Sequence, residues 1–172
     1  TASGQTGIAI GFGSASSALN TTALGILSQA TEERATAFGI QSQATGVGAV
    51  ALGSLSNAAG AQSVAIGADG ADAGTTGANA NADGSVAIGR DTFAGQSNSI
   101  ALGNVANASG PRAVAIGNET AATNTHAFAL GHEAQADGVN SMSFGVQSTA
   151  TAAGALSLGQ QSNTSTGRSV DV

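Results

Sequence analysis

Apolar positions in this chain return in a short alternating group that closes on glycine. The closing residues are Gly11, Gly25, Gly39, Gly53, Gly67, Gly89, Gly103, Gly117, Gly131, Gly145 and Gly159. Each step is 14 residues, except the 22 from Gly67 to Gly89. Self-similarity at a fixed short period is the mark of a solenoid. Such a rod offers a long uniform surface rather than one pocket, which counts against an enzyme.

The residue before each glycine is never polar: Ile10, Leu24, Phe38, Leu52, Ile66, Ile88, Leu102, Ile116, Leu130, Phe144, Leu158. The residue before that is Ala, or Ser at Ser143 and Ser157. The third residue back is mostly branched or large, as in Ile8, Val50, Val86, Ile100 and Phe128. Large, small, large is a period of two, which predicts a strand. A second period-two segment follows, with small residues three and five past the glycine (Ser28 and Ala30, Ser56 and Ala58, Ala106 and Ala108). Between them stand amides such as Gln29, Gln43, Asn57, Asn107, Gln135 and Asn163. The small slots are expected to be buried and the amide slots to face water. A second turn follows, often with glycine (Gly46, Gly60, Gly110, Gly138), where positive φ costs little.

One coil is then strand, turn, strand, turn, with about five residues per strand and two per turn. Successive coils stack as parallel strands about 4.8 Å apart, into a rod on the order of 55 Å long. The whole chain, 1–172, reads as one β-roll, an all-β parallel solenoid. Counting back from Gly89 puts Ala78 and Ala80 in the small slots, so the extra residues fall at about 68–75, a loop bearing Asp69, Gly70, Asp72 and Gly74.

Strand 1 is apolar or small on both faces, so a lone roll leaves one face wet. Ala and Ser add little apolar area, and burial is worth only about 25 cal/mol per Å². Another copy of the chain is the simplest cover, and an obligate homo-oligomer is expected. Which face of strand 1 looks into the roll stays open: large-against-small packing favours Val and Ile inside, filling a wide oligomer axis favours them outside.

Composition removes several classes. Charged residues are 8%, against about 25% in an ordinary globular domain. Richness in Gly, Ala and Ser suits a flexible linker, but the strict placement of the aliphatics argues against one. There is no Cys, hence no disulfide framework or cysteine metal ligation. The net charge is −6, with four Arg and no Lys, which does not suit nucleic acid. No stretch is long and apolar enough for a membrane-spanning helix. Thr1 opens inside the repeat with no leader ahead of it, so a piece of a longer protein is expected.

The units SVAIG (63–67 and 85–89), AVAIG (113–117) and NSIALG (98–103) resemble the fourteen-residue head repeats of YadA-like trimeric autotransporter adhesins. Their motif is NSVAIG followed two residues later by Ser. The resemblance covers nearly the whole chain. It implies a left-handed parallel β-roll assembled as a homotrimer, displayed on a Gram-negative surface by a stalk and a C-terminal outer-membrane anchor, neither of which is in this sequence. It implies a non-enzymatic adhesin head whose partner is a host matrix protein (collagen, fibronectin or laminin class) or the host cell surface. The motif Asn is kept at Asn98 and Asn140, with Asn20 in the same slot. It is replaced at Arg34, Gln62, Arg112, His126 and Arg168. Collagen binding has been tied to that motif in the family. Asp171 takes an Ala slot, where the roll is expected to stop or change.

The candidate adhesive surface is the polar slots Gln43, Asn57, Asn107 and Gln135, with the loop acids Asp69 and Asp72. No cofactor and no metal site is expected. His126 and His132 fall on different columns. Glu119 and Glu133 share one column in successive coils, where a weak cation site competes with a solvated turn. A calcium-binding roll would need a nine-residue repeat. The alternative function is an ice-binding β-solenoid, which calls for ranks of exposed Thr; the slots here mix Gln, Asn, Thr, Asp and Phe93. A glycan-processing enzyme would call for clustered acids and aromatic platforms, and there is no Trp or Tyr.

Overall fold

Each fourteen-residue repeat closes into one flat coil of two short strands. A computed structural model describes residues 1–70, 76–167 and 169–171. The first strands of the coils, from Ile8–Ile10 to Leu156–Leu158, span three residues each and pair in parallel with Val170–Asp171 into a 12-stranded sheet. The second strands, from Ala15–Ser16 to Asn163–Thr164, span two residues each and form an 11-stranded parallel sheet. Each strand lies on its counterpart one coil away, slot on slot: Val86 on Ile100, Ala87 on Ala101, Ile88 on Leu102. The ladder runs on past the long step, with Asn79 on Asn57 and Ala80 on Ala58. Ala78 and Ala80 are both buried. Asp72 lies outside the described residues.

The strands are shorter than the spacing predicts, because left-handed residues interrupt the chain three times per coil. In one coil these are Gly89 at φ 134°, Asp91 at 53° and Asn98 at 57°. The first turn therefore extends from the glycine through the second residue after it. The third left-handed position is the Asn slot of the repeat, held by Asn20, Arg34, Gln62, Arg112, His126 and Asn140, and by Gly48, Gly84 and Gly154. Asn tolerates this conformation because its short polar side chain bonds locally. This corrects the expectation for Gly46, Gly60, Gly110 and Gly138, whose φ is not positive; positive φ falls two residues later. Those glycines are demanded by space instead. A Cβ on Gly46 would stand 2.0 Å from the Gly60 carbonyl oxygen.

The open question of strand 1 is decided in favour of alanine inside. Ala23, Ala37, Ala51, Ala65, Ala87, Ala101, Ala115 and Ala129 are fully buried. Among the described residues the buried apolar core consists of alanines alone, and the largest fully buried side chains are Thr and Ser. Two tight turns per coil leave room between the sheets for the side chains of Ala, Ser and Thr and nothing larger. The large residues on either side of each Ala face outward and remain partly exposed, as at Ile88, Leu130 and Met142. Phe128 and Phe144 meet on that outer face with centroids 5.2 Å apart.

Two rows of hydroxyls close the turns from within. Ser28, Ser42 and Ser56 each donate from Oγ to the carbonyl three residues back, that of Gly25, Gly39 and Gly53, at 3.0, 3.1 and 2.9 Å. Ser63, Ser85 and Ser141 do the same at the other turn, to Gly60, Ala82 and Gly138, at 2.7, 2.6 and 2.7 Å. Each bond satisfies a turn carbonyl that the sheet ladder does not reach. Where Ser replaces the inner Ala, the hydroxyl finds a partner across the roll: Ser143 Oγ lies 2.6 Å from Ser148 Oγ. Asp171 accepts from the Asn163 N–H at 2.7 Å. In the coils before it, that bond goes to the next coil's carbonyl, as from Thr149 N–H to Ser162 at 2.8 Å.

Two substitutions on one turn test this account. Gly103 has φ 132°, and a Cβ there would stand 2.1 Å from the Gly117 carbonyl oxygen. Gly103→Ala therefore costs at least about 2 kcal/mol through backbone strain and forced separation of two coils. Val105 holds φ 55° despite its β-branch. Val105→Asn relieves that strain and raises stability by about 1 kcal/mol. Urea unfolding checks both, and equal midpoints for the two variants would contradict the assignment.

Candidate functional surface

The outer face of the second sheet is a polar lattice two columns wide. Four residues past the closing glycine, or twelve past Gly67 at the long step, the row reads Ala15, Gln29, Gln43, Asn57, Asn79, Phe93, Asn107, Ala121, Gln135, Thr149, Asn163, each paired with the next. Period two aims these side chains outward, because the flanking slots are buried small residues. Gln43, Asn57, Asn107 and Gln135 thus share one row, with Gln43 directly beside Asn57. Asn57 Nδ2 donates to Asn79 Oδ1 at 3.3 Å, so the amides also bond along the rod. Asp69 stands apart, at the turn that follows the first sheet, where its N–H donates to the Ser54 carbonyl at 3.1 Å.

A second column, two residues further on, carries mostly hydroxyls: Thr31, Thr45, Ser109, Thr123, Thr151. Thr123 donates to Asp137 Oδ1 one coil away at 2.8 Å. At Gly95 this column is empty of side chain, and the Phe93 ring fills the space. The sequence reading placed Phe93 among the exposed slots but missed this pairing. A glycine two residues after the lone aromatic of the row is the signal that was available.

A polar ladder follows the first turn. Arg90 Nε donates to Asn104 Oδ1 at 2.6 Å, Asn104 Nδ2 to Asn118 Oδ1 at 2.8 Å, and Asn118 Nδ2 lies 3.1 Å from His132 Nδ1. These are the residues one past the glycine in four successive coils, so reading that column downward finds them. The Glu column beside it lines an open cleft of about 460 Å³ with Gln135, Gln147 and Thr149. Glu133 is held by Gln147 Nε2 at 2.8 Å and lies 3.3 Å from His132 Nε2. Glu119 accepts from Asn118 Nδ2 at 3.2 Å. Each carboxylate is thus engaged by its own neighbours. At the other turn Arg112 Nη1 lies 3.3 Å from His126 Nε2. Among the described residues no group of three or more His, Cys, Asp or Glu is placed to hold a metal ion. No helix among them is long and apolar enough to cross a membrane.

The YadA head domain repeat model matches residues 2–28, 16–42, 30–56, 44–69, 76–92, 94–120, 122–148 and 136–162. The matches break at the long step between closing glycines. Among solved structures, the collagen-binding domain of the Yersinia adhesin YadA is similar at 21% identity, over 98% of this chain and 80% of that one, with a TM-score of 0.49. No curated protein sequence matches the chain. The repeat model spans most of the chain in register with the coils described above, and the chain belongs to the YadA head domain repeat family.

Proposed function

We propose that this chain is a non-enzymatic adhesin head, carried as a homotrimer on the outer surface of a Gram-negative bacterium. The observation that carries the reading is the division of the outside into two unlike faces. The first sheet presents two outward columns that are mostly Val, Ile, Leu and Phe, with Met142 in one coil and Thr22 and Thr36 in two others. The second presents amides and hydroxyls. An exposed apolar face of that extent exceeds what a soluble monomer ordinarily carries. Other copies of the chain cover it, and the amide face remains outward as the adhesive surface. The ligand class is a host matrix protein or a host cell surface. Repetition over the coils and over the copies supplies avidity from contacts that are individually weak.

Two experiments test this. Sedimentation equilibrium gives three times the 16.2 kDa chain mass, and a folded monomer at micromolar concentration overturns the oligomer. Binding is measured against immobilised collagen, fibronectin, laminin and host cells. Paired Asn57→Ala and Gln135→Ala weakens binding while each change alters stability by no more than about 0.5 kcal/mol, since both side chains are on the surface. The variant lacking residues 68–75 folds as the parent, and its binding decides whether Asp69 and Asp72 belong to the adhesive surface. Full retention of binding by the Asn57/Gln135 double variant would remove the amide face from the proposal.

A further inference from the structure

Phe93 is the one aromatic side chain in the outward row of the second sheet, and its position is unlike that of its neighbours. The three atoms nearest to a Cβ built on Gly95 all belong to the Phe93 ring, Cε1 at 2.4 Å, Cζ at 2.6 Å and Cδ1 at 3.4 Å. The ring therefore folds down over the glycine backbone rather than standing off the sheet. Gly95 has no positive φ, so the glycine is not there for its backbone. Other coils place Thr31, Thr45, Ser109, Thr123 or Thr151 in its slot, and any of these would lift the ring. Gly95 is thus the condition for a low-lying aromatic platform.

Amides flank that platform on both sides along the rod. Asn79 pairs with Phe93 from one coil and Asn107 from the other, each about 4.8 Å away. Asn79 takes a hydrogen bond from Asn57. Asn107 Oδ1 is buried and has no hydrogen-bond partner among the described residues, so Asn107 offers its Nδ2 and not its oxygen to a ligand. Asn81 and Ser109 stand in the slots beside Gly95 and are solvent-accessible. An aromatic face is electron-rich and attracts the partly positive C–H hydrogens of a flat apolar surface. Amides and hydroxyls on both sides offer donors and acceptors at once. The ligand chemistry with a flat C–H face and a rim of hydroxyls is a pyranose ring.

We propose that Phe93, laid over Gly95 and flanked by Asn79 and Asn107, forms a carbohydrate subsite that stacks one hexopyranose unit of a glycan. The sugar ring lies on Phe93 with its axial hydrogens toward the aromatic face, and its equatorial hydroxyls reach the flanking amides. One ring on one platform binds weakly, so useful affinity comes from repetition of the chain. This subsite does not depend on the adhesin reading, because free sugar and the purified chain suffice to test it.

The probe is a β-linked trisaccharide of N-acetylglucosamine, with mannitol as an open-chain polyol that has the hydroxyls but no ring face. The chain's five Phe and two His carry all its aromatic protons, so irradiating these saturates few sites. Saturation transfer to the axial ring protons of the trisaccharide is expected, and none to mannitol. Phe93→Ala reduces the transfer by about tenfold, the scale of losing one aromatic stacking contact. Gly95→Ala keeps the aromatic but lifts it off the sheet; it lowers transfer similarly while its melting temperature matches the parent's. Gly95→Ala also keeps the test open should Phe93→Ala fail to fold. Absent transfer in the parent, transfer retained in Gly95→Ala, or equal transfer to mannitol would each overturn the subsite.

Discussion

Neighbouring coils of this roll touch backbone to backbone at the closing glycines. A Cβ on Gly39 would stand 2.3 Å from the Gly53 carbonyl oxygen, and one on Gly89 would stand 2.2 Å from that of Gly103. The same residues hold φ near 140°, where a side chain is strained in any case. No other residue type permits the turn and the stacking together. Because each coil rests on the next through this column, the fourteen-residue period is enforced locally, and both sheets inherit their register from it.

The tight turns then determine what fills the interior. With so little space between the sheets, the core is a double row of methyl groups, and the turn carbonyls are satisfied by Ser hydroxyls instead of water. A core of this kind supplies modest burial per residue. Much of the chain's large apolar area is left on the outside of the first sheet, as Ile10, Phe38 and Leu158 show. The fold of one chain therefore leaves a large apolar face uncovered.

The polar outer face has the opposite character. It is flat, it repeats, and it is rich in amides that bond to one another along the rod. Variation between coils is confined to side chains that leave the backbone unchanged. Phe93 over Gly95, the ladder from Arg90 to His132 and the cleft beside Glu119 and Glu133 are local departures on one scaffold. A solenoid of this design varies its surface without altering its fold, because each slot's direction is decided by the ladder and not by the residue that fills it.

Period and slot composition were legible in the sequence. The glycines located the coils, strict alternation located the strands, and the small slots beside Ala30 and Ala58 located part of the core. Gln43, Asn57, Asn107 and Gln135 could be read as one outward row because they occupy one phase of the period. Three matters needed the tertiary structure. Alternation says that Ala87 and Val86 face opposite ways but not which way is in; the separation of the sheets decides that, and it admits Ala or Ser but not Val. Left-handed backbone at Leu27, Leu55 and Val105 is invisible to propensity, which favours strand for Val, because stacking on the coils above and below imposes the turn. The Phe93 platform depends on Gly95 two residues away on the same face, a side-chain arrangement that slot counting alone does not contain. The sequence by itself determined the repeat and the phase of residues within it; the packing of coil on coil decided which phase is core and which faces outward, because the narrow gap between the sheets takes only small side chains.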